Sequence, residues 1–580
     1  MPKKWRFSPF DAARVGSLAS QLKVSPVLAQ ILIARGFDSP EPACAFLDAR
    51  LTELHDPERL PGVSAAADAI VEALKNDRRI TIYGDYDVDG VTATSLLWHC
   101  LKLAGGSVEY YVPHRLEEGY GLNCDALATL HERDPAMLVV TVDCGISSVR
   151  EAEFARQLGL ALIITDHHQP GPELPQATVV VHPRLPGGEY PFADLCGVGV
   201  AFKLAWAICT RLGDGKKATP RMREFLLSAI GLTAIGTIAD VVPLLDENRV
   251  LVRYGLKSLC ERSSIGLKAL FQATGLTDRK VLAAEDIAFS IAPRINAAGR
   301  LGQARLAVEL LTTDNPERAG MLAAYLEEQN KARQTVERRI LKQAKELIAA
   351  RPEWVDQAAL VLDNRDWHAG VIGIVASRVA EHYQKPVILI AIPASDQPGQ
   401  GSARTFGQLD LHAGLTACSA DLITFGGHRA AAGLRIAPEK IESFRQAFCQ
   451  YAAENQRIEN ADLEVQIDAE VRLADLTLRA VTELERLGPF GRANPRPVLA
   501  STNVELAEPP RKMGEGERHL DLRLRHYGKI MRAIAFGRGE WADEIAAVNG
   551  PFSISFAANI NRFRGQENVE LQLIDWQRPA

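Results

Sequence analysis

Acidic residues gather at four separated points of the chain, each at or near the end of an apolar run. They are Asp85, Asp87 and Asp89 in GDYDVDG, Asp143 in TVDCGI, Asp166 with His167 and His168 in TDHH, and Asp240 in GTIADVVP. Carboxylates that a fold brings together repel one another unless cations join them. The four clusters therefore predict a site for divalent metal ions.

The donor types indicate which ions and which chemistry such a site would serve. Carboxylates suit magnesium and manganese, imidazole suits manganese, and a carboxylate shared by two ions can hold them about 3.5–4 Å apart, as phosphoryl displacement requires. None of the nine cysteines stands in a Cys-x-x-Cys pair, and the chain has no Walker-type Gly-Lys-Ser/Thr loop. A hydrolytic two-metal site is therefore the leading hypothesis.

The GDYDVDG motif also has two plainer interpretations. A calcium loop that began at Asp85 would need a bidentate Glu at its twelfth position, where this chain has Leu96. The aspartates could instead serve only as caps, as Asp89 could for the helix that follows it. Three further acidic clusters in comparable settings weigh against a purely structural role.

The elements that position these residues follow from the pattern around them. From about residue 79, short β-rich runs alternate with helical periods, which predicts an α/β fold with a parallel sheet and crossover helices. The strands RITIY, MLVVTV and ALIIT each end at an acidic cluster. Because ligands bind at the carboxyl ends of strands in open α/β sheets, we expect three of the clusters to meet there. A helix over 221–239 delivers Asp240.

The rest of the chain predicts four further segments. Pro316 opens a helical period that ends before Pro352 and would span about 50 Å, which suits a strut between lobes better than a core element. A second α/β unit begins near Ala358, and the end of the chain reads as a small β-barrel or sandwich. The expected boundaries are 1–48 for an N-terminal helical segment, 49–315 for the first lobe, 316–352 for the helix, 353–456 for the second lobe and 457–580 for the barrel.

Arginines in Gly-rich loops are candidates for binding anions, because guanidinium groups bind phosphate oxygens bidentately and glycine lets backbone amides approach. They are Arg115 in PHRLEEGYGL, Arg294 and Arg300 in PRINAAGRLG, and Arg404 beside Ser402 in GSAR, with His428 of FGGHRAAAG in a similar setting. A surface or interdomain salt bridge is the competing interpretation of each arginine.

The C-terminal part combines basic and aromatic residues. Arginines and lysines gather at 511–512, 518–538 and 562–564, and Phe552, Phe556 and Phe563 stand among them. These aromatics could stack on bases if the barrel is OB-like, but filling the barrel explains them at least as well.

Bulk properties allow a soluble nucleic-acid enzyme. The net charge of -6 argues only mildly against a phosphate-rich partner, because bound cations would cancel the negative charge of a cluster of metal-binding aspartates. The start, MPKKWRFSPFDAARV, lacks the apolar segment of a signal peptide, and no stretch approaches the ~20 apolar residues of a membrane span. With scattered cysteines, odd in number, this predicts a cytoplasmic protein.

In their order, these blocks resemble the DHH phosphoesterase family, which is named after the triplet that stands here as Asp166-His167-His168. The fullest match is to its bacterial single-strand-specific 5′-to-3′ exonucleases, from about residue 50 to the end. The matching blocks are GDYDVDGVTAT, EGYGL, TVDCGISS, TDHH, LCGVGVAFK, GTIADVVPL, PRINAAGRLG, WHAGVIGIVASR, GSAR and FGGHRAAAGL.

The resemblance implies an α/β fold of two lobes, a DHH and a DHH-associated domain, joined by a long helix and followed by an OB-like β-barrel. It implies two divalent ions, Mn or Mg, and places His168 near the scissile phosphate. Asp143 would be the residue that bridges the ions. The implied ligands are Asp85, Asp87, Asp143, His167 and Asp240.

The resemblance also implies a pocket for the 5′-phosphate and an activity. Single-stranded DNA would be degraded from its 5′ end to mononucleotides, in DNA repair and recombination. A monomer without membrane contact is expected, and a single-strand-binding protein and a helicase are candidate partners. Two rivals remain, a DHH phosphodiesterase of short oligonucleotides and an inactive DNA-binding scaffold. The implied DNA-binding residues are Arg115, Ser402 and Arg404 in the pocket, and Arg294, Asn296, Arg300 and His428 near the strand backbone.

Overall fold

The structure, a computed structural model, describes residues 4–114, 118–119, 121–300, 302–393, 397–457, 464–563 and 566–578. Its strands, in chain order, are β1 (Lys4–Phe7), β2 (Ile80–Gly84), β3 (Val108–Tyr111), β4 (Leu138–Val142), β5 (Ala161–Thr165), β6 (Val179–Val181), β7 (Leu360–Asn364), β8 (Val387–Ala391), β9 (Gly399–Arg404), β10 (Leu422–Gly427), β11 (Ala431–Ile436), β12 (Glu464–Ile467), β13 (Ala469–Glu470), β14 (Leu499–Leu506), β15 (Arg511–Met513), β16 (His519–His526), β17 (Lys529–Ala535), β18 (Phe552–Phe563) and β19 (Gln566–Gln577).

The α-helices, in the same order, are α1 (Ala12–Leu22), α2 (Pro26–Ala34), α3 (Pro40–Asp48), α4 (Val63–Lys75), α5 (Val88–Leu103), α6 (Cys124–Arg133), α7 (Val149–Leu158), α8 (Gly197–Arg211), α9 (Pro220–Ala239), α10 (Asp246–Glu261), α11 (Ile265–Thr274), α12 (Ala284–Asp286), α13 (Ala292–Arg300), α14 (Ala304–Thr312), α15 (Pro316–Ala349), α16 (Glu353–Asp356), α17 (Ala369–Tyr383), α18 (Leu411–Ala417), α19 (Ile441–Asn455), α20 (Leu478–Glu485) and α21 (Trp541–Ala546). A π-helical segment, Ile287–Ile291, lies between α12 and α13.

The chain divides into two compact units. One, called here the two-lobed unit, comprises residues 54–242 and 246–459; the other, called the barrel unit, comprises residues 1–53, 243–245 and 460–580. The N-terminal segment groups with the barrel unit. The five predicted segment boundaries remain a proposal.

The first lobe is built on a parallel sheet with strand order β3-β2-β4-β5-β6. Every residue of β2 and β4 is buried, as expected for a parallel sheet that is covered by helices on both faces. Because β2, β4 and β5 are neighbours, the three acidic clusters that follow them start from adjacent strand ends. The predicted meeting of these clusters at one sheet edge is therefore observed.

Helix α9 lies in the core of the first lobe, where most of its second half is buried. Among the described residues it is long and apolar enough to cross a membrane, and the bent pair α1 and α2 also passes that test if taken as one span. No stretch close to a membrane span was expected from the sequence, but α9 has the length and apolar composition of one. Because 61% of its most apolar window is buried inside the unit, α9 is weak evidence for a membrane.

Helix α15 connects the two lobes, much as predicted, and begins with Asn315 as N-cap and Pro316 in its first turn. Its first half packs on α11 and α13, and its second half packs on α17. Ile340, Ala344 and Ile348 are fully or almost fully buried in the core of the second lobe. The helix is therefore a core element as well as a strut, which the polar sequence did not indicate.

The second lobe has a mixed sheet with strand order β10-β11-β9-β8-β7, in which β7 and β8 are parallel and the remaining neighbours antiparallel. Helix α17 packs against β8 and β9, and α19 packs against β7. This arrangement places the GSAR segment on β9, next to α17.

The barrel unit contains a sheet with strand order β13-β14-β18-β19-β17-β16-β15, closed by a pairing of β14 with β16. Phe552 and Phe556 are 2% and 0% exposed in its core, so the idea that they stack on bases is wrong and the barrel-filling alternative is right. The side chain of Phe563 lies outside the described part of the chain. Helices α1 to α3 contribute Leu28, Ile31 and other residues to the same core.

Candidate metal centre and phosphate-binding residues

The adjacent ends of β2, β4 and β5 deliver the aspartates of the predicted site. Asp85 follows β2 directly, Asp143 follows β4, and Asp166 follows β5. Asp143 has a left-handed backbone with φ of 63°, a conformation that only Asp, Asn and Gly adopt with ease. Asp240 comes from elsewhere, as the C-cap of α9.

The side chains converge on His167. Its Nε2 atom lies 3.1 Å from Asp143 Oδ1, 3.7 Å from Asp240 Oδ2 and 3.8 Å from Asp89 Oδ2. Three groups of residues each offer ligand atoms within 4.8 Å of one another, and Asp143 belongs to two of them. The groups are Asp85–Asp87–Asp143, Asp143–His167–His168 and Asp89–His167–Asp240.

The electrostatics of this cluster favour a cation. Burial raises the pKa of Asp143 well above its ordinary value, and the negative charge of Asp89 adds to this effect. Burial and the negative charge of Asp87 raise the pKa of Asp89 to about 7. Burial and the positive charge of His168 lower the pKa of His167 to about 3, so the His167 imidazole is neutral. Asp143 Oδ1 and His167 Nε2 are buried without a hydrogen-bond partner among the described residues. This donor set fits Mn²⁺ or Mg²⁺, since both take carboxylate oxygens and Mn²⁺ also takes imidazole.

Asp166 holds the turn that carries both histidines. Its Oδ1 accepts the N–H groups of His167 at 2.7 Å and His168 at 3.1 Å and lies 2.7 Å from His168 Nδ1, while Oδ2 accepts the Ile146 N–H at 2.9 Å. Burial alone would raise the pKa of Asp166, but the bond with His168 lowers it to about 2. Burial acts to lower the pKa of His168, and Asp166 outweighs it and raises that pKa to about 9. His182 lies with Nε2 2.8 Å from the His168 carbonyl oxygen.

Asp87 and Asp89 both accept backbone N–H groups at the starts of helices. Asp87 is the N-cap of α5 and accepts the N–H groups of Asp89 at 2.8 Å and Gly90 at 3.1 Å. The expectation that Asp89 caps this helix is wrong, because it accepts the Gly197 and Val198 N–H groups at 2.6 and 2.8 Å and so caps α8. Asp89 was left out of the predicted site, although its place in the same motif was a signal.

Gly197 shows why glycine stands at the start of α8. A Cβ atom there would lie 2.5 Å from both Cβ and Oδ1 of Asp143. Contacts that short do not occur without displacement, so only glycine lets α8 approach the cluster. The LCGVGVAFK block thus contributes close packing to the site.

Ser402 and Arg404 lie together on β9. Arg404 Nη1 donates to Ser402 Oγ at 3.1 Å and to the Ala403 carbonyl oxygen at 2.7 Å. A Cβ atom on Gly373 of α17 would lie 2.9 Å from Ser402 Oγ and 3.0 Å from Arg404 Nη2, so α17 passes close to both. Arg115, the third member of the predicted pocket, lies outside the described residues.

Helix α13 links the metal cluster to this second lobe. Arg300 Nη1 donates to the Gly370 carbonyl oxygen of α17 at 3.1 Å, and Asn296 is half-buried on the same helix. Gly299 lies so close to the Tyr86 carbonyl oxygen, in the GDYDVDG loop, that a Cβ atom would not fit. Contacts therefore run from the loop after β2, through α13 and α17, to Ser402 and Arg404 on β9.

The remaining two predicted residues differ in their surroundings. Arg294 donates from Nε to Glu327 Oε2 at 2.7 Å and from Nη1 to the Ser290 carbonyl oxygen at 2.6 Å, as the salt-bridge alternative describes. His428 is exposed after β10, and its N–H donates to the Ala431 carbonyl oxygen at 2.9 Å. Among the described residues, no hydrogen bond joins its side chain to the other predicted residues.

Three family models match this chain: the DHH family, N-terminal domain, over residues 79–230, the DHHA1 domain over residues 356–454, and the RecJ OB domain over residues 467–575. The chain is 37% identical over 573 residues to the single-stranded-DNA-specific exonuclease RecJ of Bacillus subtilis (strain 168), covering 99% of this chain and 70% of that relative.

Two solved structures of RecJ from Thermus thermophilus are also similar. The complex with Mn²⁺ matches with a TM-score of 0.82 at 34% identity, covering 100% of this chain and 80% of that chain. The complex with Mg²⁺ matches with a TM-score of 0.76 at 31% identity, covering 100% and 79%. The predicted fold class, two α/β lobes joined by a long helix and followed by an OB-like barrel, is confirmed.

A parallel sheet with aspartates and a DHH triplet at its carboxyl edge, followed by a DHHA1 lobe, defines the DHH class of proteins. The similarity extends over nearly the whole chain and includes the terminal barrel. The chain belongs to the RecJ family.

Proposed function

We propose that this protein is a metal-dependent exonuclease that degrades single-stranded DNA from its 5′ end to mononucleotides. One observation carries the proposal: ligand atoms from four remote segments converge around Asp143 Oδ1 and His167 Nε2, which lie 3.1 Å apart and buried. The Bacillus subtilis relative is a single-stranded-DNA-specific exonuclease, which supports the choice of substrate.

Asp85, Asp87, Asp143, His167 and Asp240 would hold two divalent ions, Mn²⁺ or Mg²⁺, with Asp143 shared between them. Ions bound there would supply Lewis-acid activation of water and neutralise negative charge on the reacting phosphodiester. The two known complexes, with Mn²⁺ and with Mg²⁺, support both as candidates.

The protein's own contribution is to orient these groups and the DNA. Asp166 fixes the backbone and ring of His168 through two hydrogen bonds and the backbone of His167 through a third, so that His168 can lie beside the scissile phosphate. Asp89 holds the start of α8 against Asp143, and Asp87 holds the start of α5. Such fixed geometry is what positions a reacting phosphate near the metal ligands.

Polarity would come from binding of the terminal 5′-phosphate by Arg115, Ser402 and Arg404. Arg300, Asn296 and His428 would contact the strand backbone, while Arg294 positions α13 through its ion pair with Glu327. These groups address phosphate and sugar, not base edges, so degradation would not depend on base sequence.

We place this activity in DNA repair and recombination, in the cytoplasm, and expect a monomer. Single strands in a cell arise where a helicase separates a duplex, and a single-strand-binding protein covers them. These two kinds of protein are therefore the partners to test first.

The proposal is tested with 5′- and 3′-labelled oligonucleotides, single-stranded and duplex, in Mn²⁺, Mg²⁺ or a chelator. Immediate release of a labelled mononucleotide from the 5′ end, with metal only and from single strands only, is expected. Loss of label from the 3′ end first would overturn the polarity. Faster turnover of a dinucleotide than of a long oligomer would favour a phosphodiesterase of short oligonucleotides, and binding without hydrolysis would favour a scaffold.

A further inference from the structure

The middle of helix α15 contains a buried carboxylate that the proposed metal centre does not use. The side chain of Glu337 is 3% exposed, and its Oε2 accepts a hydrogen bond from Arg333 Nη1 at 2.8 Å. Arg333 also donates from Nη2 to Oδ1 of the buried Asn330 at 2.9 Å. Replacing a buried ion pair by apolar residues is often neutral or stabilising, so stability alone does not explain this one.

Glu337 has a second partner, Arg378, which belongs to helix α17 of the second lobe. Arg378 Nη1 lies 2.7 Å from Glu337 Oε1, an ion pair whose angles fall outside those of a hydrogen bond. Within α15, Arg333 precedes Glu337 by one helical turn, which is the less favourable order for an ion pair that supports a helix. Attraction between α15 and α17 therefore explains the buried carboxylate better than support of α15 itself.

Ion pairs hold α15 to a helix of each lobe. Arg294 Nε of α13 lies 2.7 Å from Glu327 Oε2, and further along α15 the pair of Glu337 with Arg378 reaches α17. The two glutamates are separated by about 15 Å along the helix at 1.5 Å per residue. Because a continuous helix keeps such a separation constant, α15 acts as a spacer between α13 and α17.

Helices α13 and α17 each contact a part of the site described above. Gly299 of α13 lies against the Tyr86 carbonyl oxygen in the GDYDVDG loop. Gly373 of α17 lies against the side chains of Ser402 and Arg404. A shift of α17 along α15 would therefore move the candidate phosphate-binding residues relative to the metal ligands. That separation decides which phosphodiester bond lies at the metal centre when the terminal phosphate is bound.

We infer that Glu337 is a positioning residue that determines how many nucleotides are removed in each cut. By holding α17 at one place on α15, it fixes the separation between the metal ligands and the pair Ser402 and Arg404. The inference rests on the proposed function, because only a bound terminal phosphate makes this separation a measure of product length. Glu337 acts through α17 and not on the reacting atoms.

The test measures the length of the first product. An oligothymidylate with a radioactive 5′-phosphate is digested in Mn²⁺ under single-turnover conditions, and the labelled mono-, di- and trinucleotides are separated on a gel. The wild type should release mononucleotide. Glu337→Gln keeps the shape of the side chain but removes its charge, so α17 can shift, and we expect the ratio of mononucleotide to dinucleotide to fall about tenfold.

A second variant identifies the partner through which Glu337 acts. Arg378→Gln removes the charge from a side chain that is 55% exposed, so the variant should fold and should change the product ratio in the same direction. If the two residues act as a pair, the double variant should have the same ratio as Glu337→Gln alone. Should Glu337→Gln fail to fold, the result with Arg378→Gln is decisive.

The matched control is Glu346→Gln, the same substitution on the same helix in an exposed ion pair with Lys342. It should release mononucleotide as the wild type does. An unchanged ratio in the folded variants of Glu337 and Arg378, or an equal change in the control, would overturn the inference. Slower cleavage or weaker DNA binding at the wild-type ratio would also overturn it, since a merely structural or DNA-binding role has that effect.

Failure of the proposed function would have a different signature. A wild type that releases no labelled product from the 5′ end with metal would overturn the proposed function, and this inference with it. A wild type that releases mononucleotide, together with variants that do the same, would contradict only the role of Glu337.

Discussion

His167 Nε2 lies 3.1 Å from Asp143 Oδ1 at the buried centre of a cluster of carboxylates, and neither atom has a hydrogen-bond partner among the described residues. Buried polar atoms without partners are costly to a fold. A shared cation would remove that cost, and the following predictions test this relationship and the residues that maintain it.

Asp143→Asn should separate stability from metal binding. The amide has nearly the same shape but cannot ionise, so without metal we expect the variant to be more stable than the wild type by about 1 kcal/mol. Mn²⁺ should raise the melting temperature of the wild type but not of the variant. Thermal unfolding with Mn²⁺ or chelator measures both effects. Equal stabilisation of the two proteins by Mn²⁺ would contradict the assignment of Asp143.

Asp166→Asn should impair activity while leaving the fold intact. Asp166 does not need to bind metal to matter, because it orients His167 and His168 through hydrogen bonds. Loss of an outer partner of a metal ligand typically costs 10–100-fold, and we expect a decrease of about that size in exonuclease rate. Asp194→Asn, on an exposed carboxylate, is the control. A rate within about twofold of the wild type would show that the turn needs no carboxylate.

Gly197→Ala should damage the site through packing alone. The new methyl group would meet Asp143 Oδ1 at 2.5 Å, so we expect a loss of about 1–3 kcal/mol in unfolding free energy and a large loss of activity. Gly320→Ala is the control, since a Cβ atom there meets nothing within 4 Å and alanine favours a helix interior by about 0.5–1 kcal/mol. Chemical denaturation and nuclease rates measure both variants. Full activity of Gly197→Ala would mean that α8 can move away from the cluster at little cost.

His99 should make folding sensitive to mild acid. It lies away from the metal cluster, with Nε2 2.9 Å from the Leu311 carbonyl oxygen, and burial lowers its pKa below the ordinary value. The unfolded chain then binds the proton more readily, so stability contributed by neutral His99 is present above about pH 6.5 and is lost as pH falls below it, by at most about 1.4 kcal/mol per pH unit.

The variant His99→Gln keeps a donor for Leu311 but does not titrate. Its unfolding free energy should therefore fall less than that of the wild type between pH 7.5 and 5.5, measured by urea denaturation in one buffer series. Identical pH slopes for the two proteins would mean that His99 does not contribute to this dependence.

Much of the first lobe could be predicted from the residues. The apolar runs that end near Asp85, Asp143 and Asp166 predict strands. Because parallel strands have their carboxyl ends at one edge of the sheet, the three aspartates are expected to lie there. The helix that carries Asp240 and the long helix from Pro316 also follow local periodicity and capping. These features depend on residues that are close together in the sequence, so the local pattern of residue types predicts them.

Other features depended on contacts between distant segments. Asp89 caps α8 instead of α5, α1 to α3 complete the core of the barrel, and Phe552 is buried while Tyr527 is exposed. Each outcome is decided by which apolar faces and unsatisfied N–H groups meet in space. Local spacing can show that a residue is able to cap, pack or stack, but the partner that it meets is selected only when the whole chain has buried its apolar surface.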